Sequence, residues 1–223
     1  MNARSRFLTP RPAPRVELSP DLNRILASIG FLIREADRRD LAVTQYDIVK
    51  SLFLADRSHL NRFGRPITYD NYVAMNHGPV PSISYDLLKQ YSPTMERVGI
   101  KSLPWTRKPA DFVSVGCFQY TDSTICNEDD ILSPSDMAAL SEALTIISGL
   151  TFGQVRRLTH SDPAYKEAWG AATESNSIPM SLGLLFDEPN FEAAENLEFI
   201  SRQQAENQSW DDDDAAFDLL KAG

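Results

Sequence analysis

The chain has 223 residues, 42% of them hydrophobic and 24% charged, a composition that suits one ordinary globular domain needing no disulfide or metal to hold it. Its formal charge of −9 is unevenly placed: Asp187–Gly223 holds 11 acids and 2 bases, whereas residues 1–186 hold 20 of each. A neutral body argues against broad nucleic-acid binding, which relies on clustered Lys and Arg to neutralise phosphates. The acidic tail suits a basic protein partner or simple solvation. No apolar run approaches the roughly 18 residues of a membrane span, and no apolar segment follows the N-terminal arginines as it would in a secretory signal. Two cysteines, Cys117 and Cys126, are too few for a secreted disulfide framework. Together these features point to the cytoplasm and away from the membrane.

Residues 1–18 carry Arg4, Arg6, Arg11 and Arg15 among Pro10, Pro12 and Pro14 and are expected to form a flexible or extended basic arm. Ser19-Pro20-Asp21 reads as a helix start, with Ser19 as the cap. The 3.6-residue period from Leu22 to Ala36 predicts a helix over 21–37. Thr44 with Asp47 caps a second helix over 45–61, which Gly64 and Pro66 stop. Ile67–Met75 is rich in β-branched and aromatic residues and reads as a short strand. Gly78-Pro79-Val80-Pro81 reads as a rigid turn, followed by a short helix from Ser82 to Tyr91. Residues 92–111 look like a loop, and Phe112–Tyr120 like a strand with a turn at 121–123. Ser133-Pro134 opens a helix with Met137, Leu140, Leu144 and Ile147 inward. Thr151 with Gln154 caps another near 152–160, and Asp162-Pro163 starts a short one ending at Gly170. Beyond it, 190–207 can form a helix, 211–214 is a run of four acids expected to be disordered, and 215–222 can form a short helix. The expected class is mainly α (α+β): a compact helical domain over 19–186 with a small β-hairpin or short antiparallel sheet, a flexible basic arm and an acidic tail that is partly helical or disordered.

Within Thr44–Gln90 stand Lys50, Leu52, Phe53, Ala55 and Asp56 on one helix. They are followed by Phe63 to Ile67 (FGRPI), then Tyr72, Ala74, Gly78, Pro79 and Val80, then Tyr85. Downstream, LTHSDPAYKEAW runs from Leu158 to Trp169. In this order the pieces resemble the Panacea domain of SocA-like antitoxins, over roughly residues 20–170. The resemblance implies a mostly helical domain with a small β element, and an antitoxin that neutralises a cognate protein toxin by direct contact. It supplies no catalytic residues. A variant makes the chain an adapter that hands its toxin to a cytoplasmic protease. Two rival classes remain: a DNA-binding regulator, with helices 21–37 and 45–61 and a hairpin mimicking a winged helix, and a metal-dependent hydrolase.

The chemistry sought for an enzyme is thin. His59, His77 and His160 lie in separate segments without metal-ligand spacing, and no nucleotide-binding glycine loop or serine elbow occurs. Cys117 reads as a buried small hydrophobe, and Cys126 beside an acidic turn is a poor nucleophile. His77 reads as a surface residue, His160 as a helix end, and Asp56, Arg57 and His59 as a polar cluster. The reading is therefore of a non-enzyme with no cofactor and no metal. Its candidate partner-binding residues are Met75, His77, Pro79 and Val80 in the proline-stiffened segment, Trp105 beside Arg107 and Lys108, and Trp210, Phe217 and Leu220 in the acidic tail. An aromatic beside cations can anchor a partner, and apolar residues among acids can fold onto a basic groove. Gly64, Pro66, Gly78 and Pro79 are of types that most often serve geometry.

Overall fold

The computed structural model describes residues 12–108, 117–121, 128–171 and 175–221, with 128, 129 and everything from 208 onward described by backbone alone. The expected strand residues 112–116, the turn at 122–123 and Cys126 lie outside the described residues. Two helices come first, α1 (Leu22–Arg38) and α2 (Gln45–Phe63). A hairpin follows, of β1 (Tyr72–Met75) and β2 (Gly78–Pro81). Next come the short helices α3 (Ser82–Leu88) and α4 (Ser92–Arg97), then β3 (Trp105–Arg107) and β4 (Phe118–Tyr120). The second half holds α5 (Glu128–Ile131), α6 (Pro134–Ser148), α7 (Phe152–His160), α8 (Pro163–Gly170), β5 (Ile178–Pro179), a 3-10 turn (Leu182–Leu184) and α9 (Phe191–Lys221). The fold is mainly α, and among the described residues it has two small antiparallel sheets, ordered β2-β1-β5 and β3-β4. No described helix is long and apolar enough to cross a membrane.

Local capping chemistry places three helix starts where the sequence put them. Thr44–Asp47, Ser133–Asp136 and Thr151–Gln154 each form a reciprocal capping box, satisfying backbone N–H groups that have no partner inside the helix. Helix α1 differs from expectation. Its cap is Asp21, which accepts from the Arg24 N–H, while the Ser19 N–H donates to Ser201 Oγ at 3.1 Å. A hydroxyl and a carboxylate were both in reach of the cap position; the carboxylate of Asp21 takes it, and the backbone of Ser19 is held by α9.

Helix α2 is the spine. Ile48, Val49, Leu52 and Ala55 face a cluster with α1, α3, α6, Trp105 and Phe118, while Phe53 and Leu60 face a second cluster with Tyr72, Tyr165, Ala168 and Leu197. Each of the buried Val, Ile, Leu and Phe side chains stabilises the fold by about 1.5–3 kcal/mol. Both faces of α2 are packed, and the stripe that remains partly open, Arg57, Asn61 and Arg62, is tied to Asp162 and Asp187, to the Leu185 carbonyl and to Glu142, which disfavours the winged-helix expectation of α2 lying in a DNA groove. The residues expected to cluster polarly at its end also separate. Asp56 turns to the 67–72 segment, Arg57 to Asp162 at 2.8 Å, and His59 to the Arg65 carbonyl at 2.9 Å and to Asp136 at 3.1 Å.

Several other segments depart from the sequence reading. Gly78–Pro81 is a strand, paired with Tyr72–Met75 through Val73↔Val80; the turn is Asn76-His77. Proline is tolerated there because β2 is an edge strand and needs no inward N–H. The expected 92–111 loop contains α4 and β3. Residues 12–18, expected as part of a flexible arm, lie extended against the body. Arg15 bonds Glu167 at 2.7 Å and the Pro179 carbonyl at 2.8 Å, and Asn71 bonds both backbone groups of Leu18 at 2.9 and 2.8 Å. The helix α9 continues through Asp211–Asp214 to Lys221, where a disordered run had been expected; once nucleated, each added residue gains one bond. Its start is packed, with Ala194 and Leu197 buried in the second cluster.

Helix α3 has no cap of its own; the fully buried Asp70 supplies it from outside. Its carboxylate accepts from the Ile83 and Ser84 N–H groups at 3.1 and 2.8 Å and from Ser84 Oγ at 2.8 Å. Burial pushes the Asp70 carboxyl up from 3.8 to about 6, although these bonds oppose the shift. An acid raised in the folded state loses stability as pH rises from its unfolded to its folded value. The domain is therefore expected to gain up to about 3 kcal/mol on acidification from pH 7 to pH 4 from Asp70 alone. Asp56 and Asp162 are shifted in the same direction by burial. Glu35, Asp136, His59 and His160 are shifted downward and act the other way, so the readout is a difference: the urea midpoint relative to that of Asp70→Asn should rise from pH 7 to pH 4, and a constant difference would refute the assignment.

Candidate functional site

A cavity of about 530 Å³ opens between α2, the β1–β2 hairpin and α3. Helix α2 presents Tyr46, Val49 and Lys50 to it, the hairpin presents Met75, His77 and Val80, and α3 presents Tyr85. No Asp or Glu is among its described lining residues. Aromatic and aliphatic side chains thus surround one ammonium, with Gln45, Asn76, His77 and Asn176 as the further polar members of the wall.

Lys50 is only 1% exposed. Its Nζ donates to the Pro79 carbonyl at 2.7 Å and lies 5.3 Å from the centre of the Tyr46 ring. Among the described residues it has no carboxylate partner; the acid one turn before it, Asp47, is occupied by the Thr44 capping box. Desolvation without a counter-charge pushes its pKa from 10.5 down to about 7. Two further buried polar atoms here have no hydrogen-bond partner, the Tyr46 hydroxyl and His160 Nε2. Burial, together with the nearby cations Arg156, Lys50 and His77, lowers the His160 pKa. Buried polar groups are satisfied in the great majority of cases, so an ammonium without a counter-ion beside two unsatisfied polar atoms is an unusual concentration.

Aromatic contacts build the rim. Phe152, at the start of α7 and 54% exposed, lies 4.9 Å from Tyr46 and 5.8 Å from His77 between ring centres. Beneath, His160 lies against Tyr165 at 4.3 Å, Tyr165 stacks on the half-buried Trp169 at 6.1 Å, and the Tyr165 hydroxyl donates to the Met75 carbonyl at 3.0 Å. Helices α7 and α8 thereby fix the hairpin that forms the cavity wall.

Gly78 shows how tightly this assembly is drawn. Its φ of +102° lies outside the range open to other residues. A Cβ there would stand 2.8 Å from Thr159 Oγ1, 3.1 Å from Lys50 Nζ and 3.4 Å from His160 Cδ2. Strain and clash combine, so Gly78→Ala is expected to lower stability by about 2 kcal/mol or more. A change in urea midpoint worth less than about 0.5 kcal/mol would show that the hairpin yields instead.

The residues singled out in the sequence fare unequally. Met75, His77 and Val80 line the cavity, and Pro79 contributes the carbonyl that holds Lys50. Trp105 is not on that face: it is 2% exposed in the first cluster, where β3 pairs with β4, and it cannot anchor a partner from there. The pairing with residues 118–120 buries it, a contact local sequence does not announce. The side chains of Trp210, Phe217 and Leu220 lie outside those described. Sequence reasoning missed Tyr46, Lys50, Phe152 and His160 as site residues. The available signal was a lysine on an apolar helix face whose one nearby acid was already committed to a cap.

Among the described residues, no group of three His, Cys, Asp or Glu is arranged to hold a metal ion. The fold is that of a small, mainly helical domain in which one hairpin walls a cavity. A family profile described as antitoxin SocA-like, Panacea domain, matches residues 48–166, more than half of the chain, and the protein belongs to this family. No curated protein and no solved structure shows significant similarity to it. The motif residues within the match divide physically. Asp56, Gly64, Ile67 and Tyr72 hold a corner together, whereas Lys50, Gly78, Pro79, Val80, Thr159 and His160 converge on the cavity.

Proposed function

We propose that the chain is an antitoxin that neutralises a cognate protein toxin by direct binding, in the cytoplasm and without catalysis. The family match over 48–166 carries this reading. The neutral body and buried α2 favour a protein over a nucleic-acid partner. The contact face we assign is the rim of the cavity, where the exposed His77 and Phe152 stand beside Met75. Exposed aromatic residues at the edge of a preorganised hairpin bury apolar area on binding at little entropic cost.

The test is co-expression of the full chain with the product of its neighbouring gene. A product that stops growth alone, is tolerated with this chain, and co-elutes with it is the expected result. Phe152→Asp should abolish rescue while leaving the antitoxin folded; rescue undiminished by Phe152→Asp would move the contact elsewhere, and absence of any complex would overturn the reading. Masking is expected to leave toxin half-life unchanged, whereas an adapter to a protease would shorten it.

A further inference from the structure

We propose that the Lys50 cavity is a binding site for one carboxylate carried on a short apolar or aromatic body. This does not rest on the antitoxin reading; it rests on the cavity's own chemistry. Lys50 contributes one ammonium, with a single protein acceptor, the Pro79 carbonyl, and no counter-carboxylate among the described residues. The Tyr46 hydroxyl adds a second buried donor without a partner. The Lys50 ammonium, 5.3 Å from the centre of the Tyr46 ring, is the primary anchor for a carboxylate, and charge-assisted bonds of this kind are the strong ones. Lys50 is the one lysine or arginine among the described lining residues, Arg156 standing outside them, and its single charge matches a monoanion.

The size and walls set the body of the ligand. About 530 Å³ lies within the range of small-molecule sites. Val49, Met75 and Val80 are aliphatic and Tyr46 and Tyr85 are aromatic, which suits an apolar or aromatic body, while the polar Gln45, Asn76, His77 and Asn176 leave room for a polar group on it. The lysine is kept at a cost in folding, as its lowered pKa records; a bound anion would restore its charge. Binding then takes up a proton and weakens as pH rises through 7. The titratable and charged groups around Lys50 are Tyr46 on α2, His77 in the hairpin turn, Tyr85 on α3, Arg156 and His160 on α7, and Tyr165 on α8. Burial raises the pKa of Tyr46 and of Tyr165, which favours their neutral hydroxyls. The two histidines are the groups to separate from Lys50.

The experiment is an NMR titration of the full chain with acetate, isovalerate and phenylacetate, using phenylacetamide as the uncharged control. Saturable shifts at Tyr46, Val49 and Val80 are expected, with phenylacetate at least tenfold tighter than phenylacetamide. Affinity should fall about tenfold from pH 6 to pH 8, and this dependence should survive His77→Gln and His160→Gln. Lys50→Met should abolish the preference for acid over amide, and Tyr46→Phe should weaken phenylacetate several-fold. Equal binding of acid and amide, no saturable shift with any of the three acids, or an acid preference retained in Lys50→Met would each overturn the proposal. Should Lys50→Met not fold, Tyr46→Phe and the pH profile decide it alone. Competition between phenylacetate and the co-purified toxin would place the carboxylate on the toxin, and independent binding would place it on a free small acid; both outcomes uphold the site.

Discussion

Asp56→Ala is expected to be the most damaging single change in the domain, removing about 4 kcal/mol or more and shifting the urea midpoint accordingly. The Asp56 carboxylate accepts from the Ile67 N–H at 2.7 Å, the Thr68 N–H at 3.0 Å, the Thr68 hydroxyl and the Tyr72 hydroxyl at 2.9 Å. All of these are buried. Alanine leaves four donors without an acceptor and opens a void beside Phe53, which packs edge-on against Tyr72. Each orphaned donor costs about 1–3 kcal/mol against a total stability of about 5–15. Asp56→Asn keeps one oxygen and should lose less. A midpoint change in Asp56→Ala worth under about 1 kcal/mol would mean that water replaces the carboxylate and that this corner is open to solvent.

Lys50→Met should act in the opposite direction and make the protein more stable. The pKa of Lys50 is held near 7 in the fold, against 10.5 for an unburied lysine. Above pH 10.5 neither state carries the proton and the burial is free of charge penalty. As pH falls from 10.5 to 7 the unfolded chain takes the proton and the folded one does not, so stability is lost. Below 7 both carry it and the penalty stays at its full value, an upper limit of about 4–5 kcal/mol. Methionine keeps the apolar stem but leaves the Pro79 carbonyl without its donor, returning about 1–3 kcal/mol of that gain. A net stabilisation of about 2 kcal/mol at pH 7, shrinking toward pH 10, is the expected outcome of thermal unfolding across pH. A destabilised Lys50→Met at pH 7 would make the lysine a structural strut. A stabilised one that no longer neutralises the toxin would mark a residue retained for binding at the expense of folding.

What the sequence revealed was whatever chemistry is local. Capping boxes at Thr44, Ser133 and Thr151 are complete within four residues, so the starts of α2, α6 and α7 could be read directly. The apolar period of α1 was equally plain. Elements defined by distant partners were not legible. The strand β2 looks like a turn because Pro79 and Pro81 dominate it, and only pairing with Tyr72–Met75 makes it an edge strand. The strand at Trp105 exists because residues 118–120 lie beside it. The cavity illustrates the same limit. Lys50, Gly78 and His160 are far apart in sequence, and each alone reads as ordinary. Their joint meaning arises when α7 lays Thr159 and His160 over the hairpin and buries the lysine. Family resemblance carried the hairpin residues into view, but could not show that Lys50 lacks a counter-charge.

The spine helix α2 and the strand β1 each face two ways. On β1, Tyr72 and Ala74 enter the second cluster while Val73 and Met75 pack against the first. Neither cluster can therefore be exposed without uncovering a wall of the other. In hydrogen exchange, the innermost amides of α1 and those of α8, on opposite sides of this shared wall, should open in the same event, with equal protection and the same dependence on denaturant. The domain would then have no half-open form for a protease to seize, and its turnover in the cell would follow the population of the wholly unfolded chain.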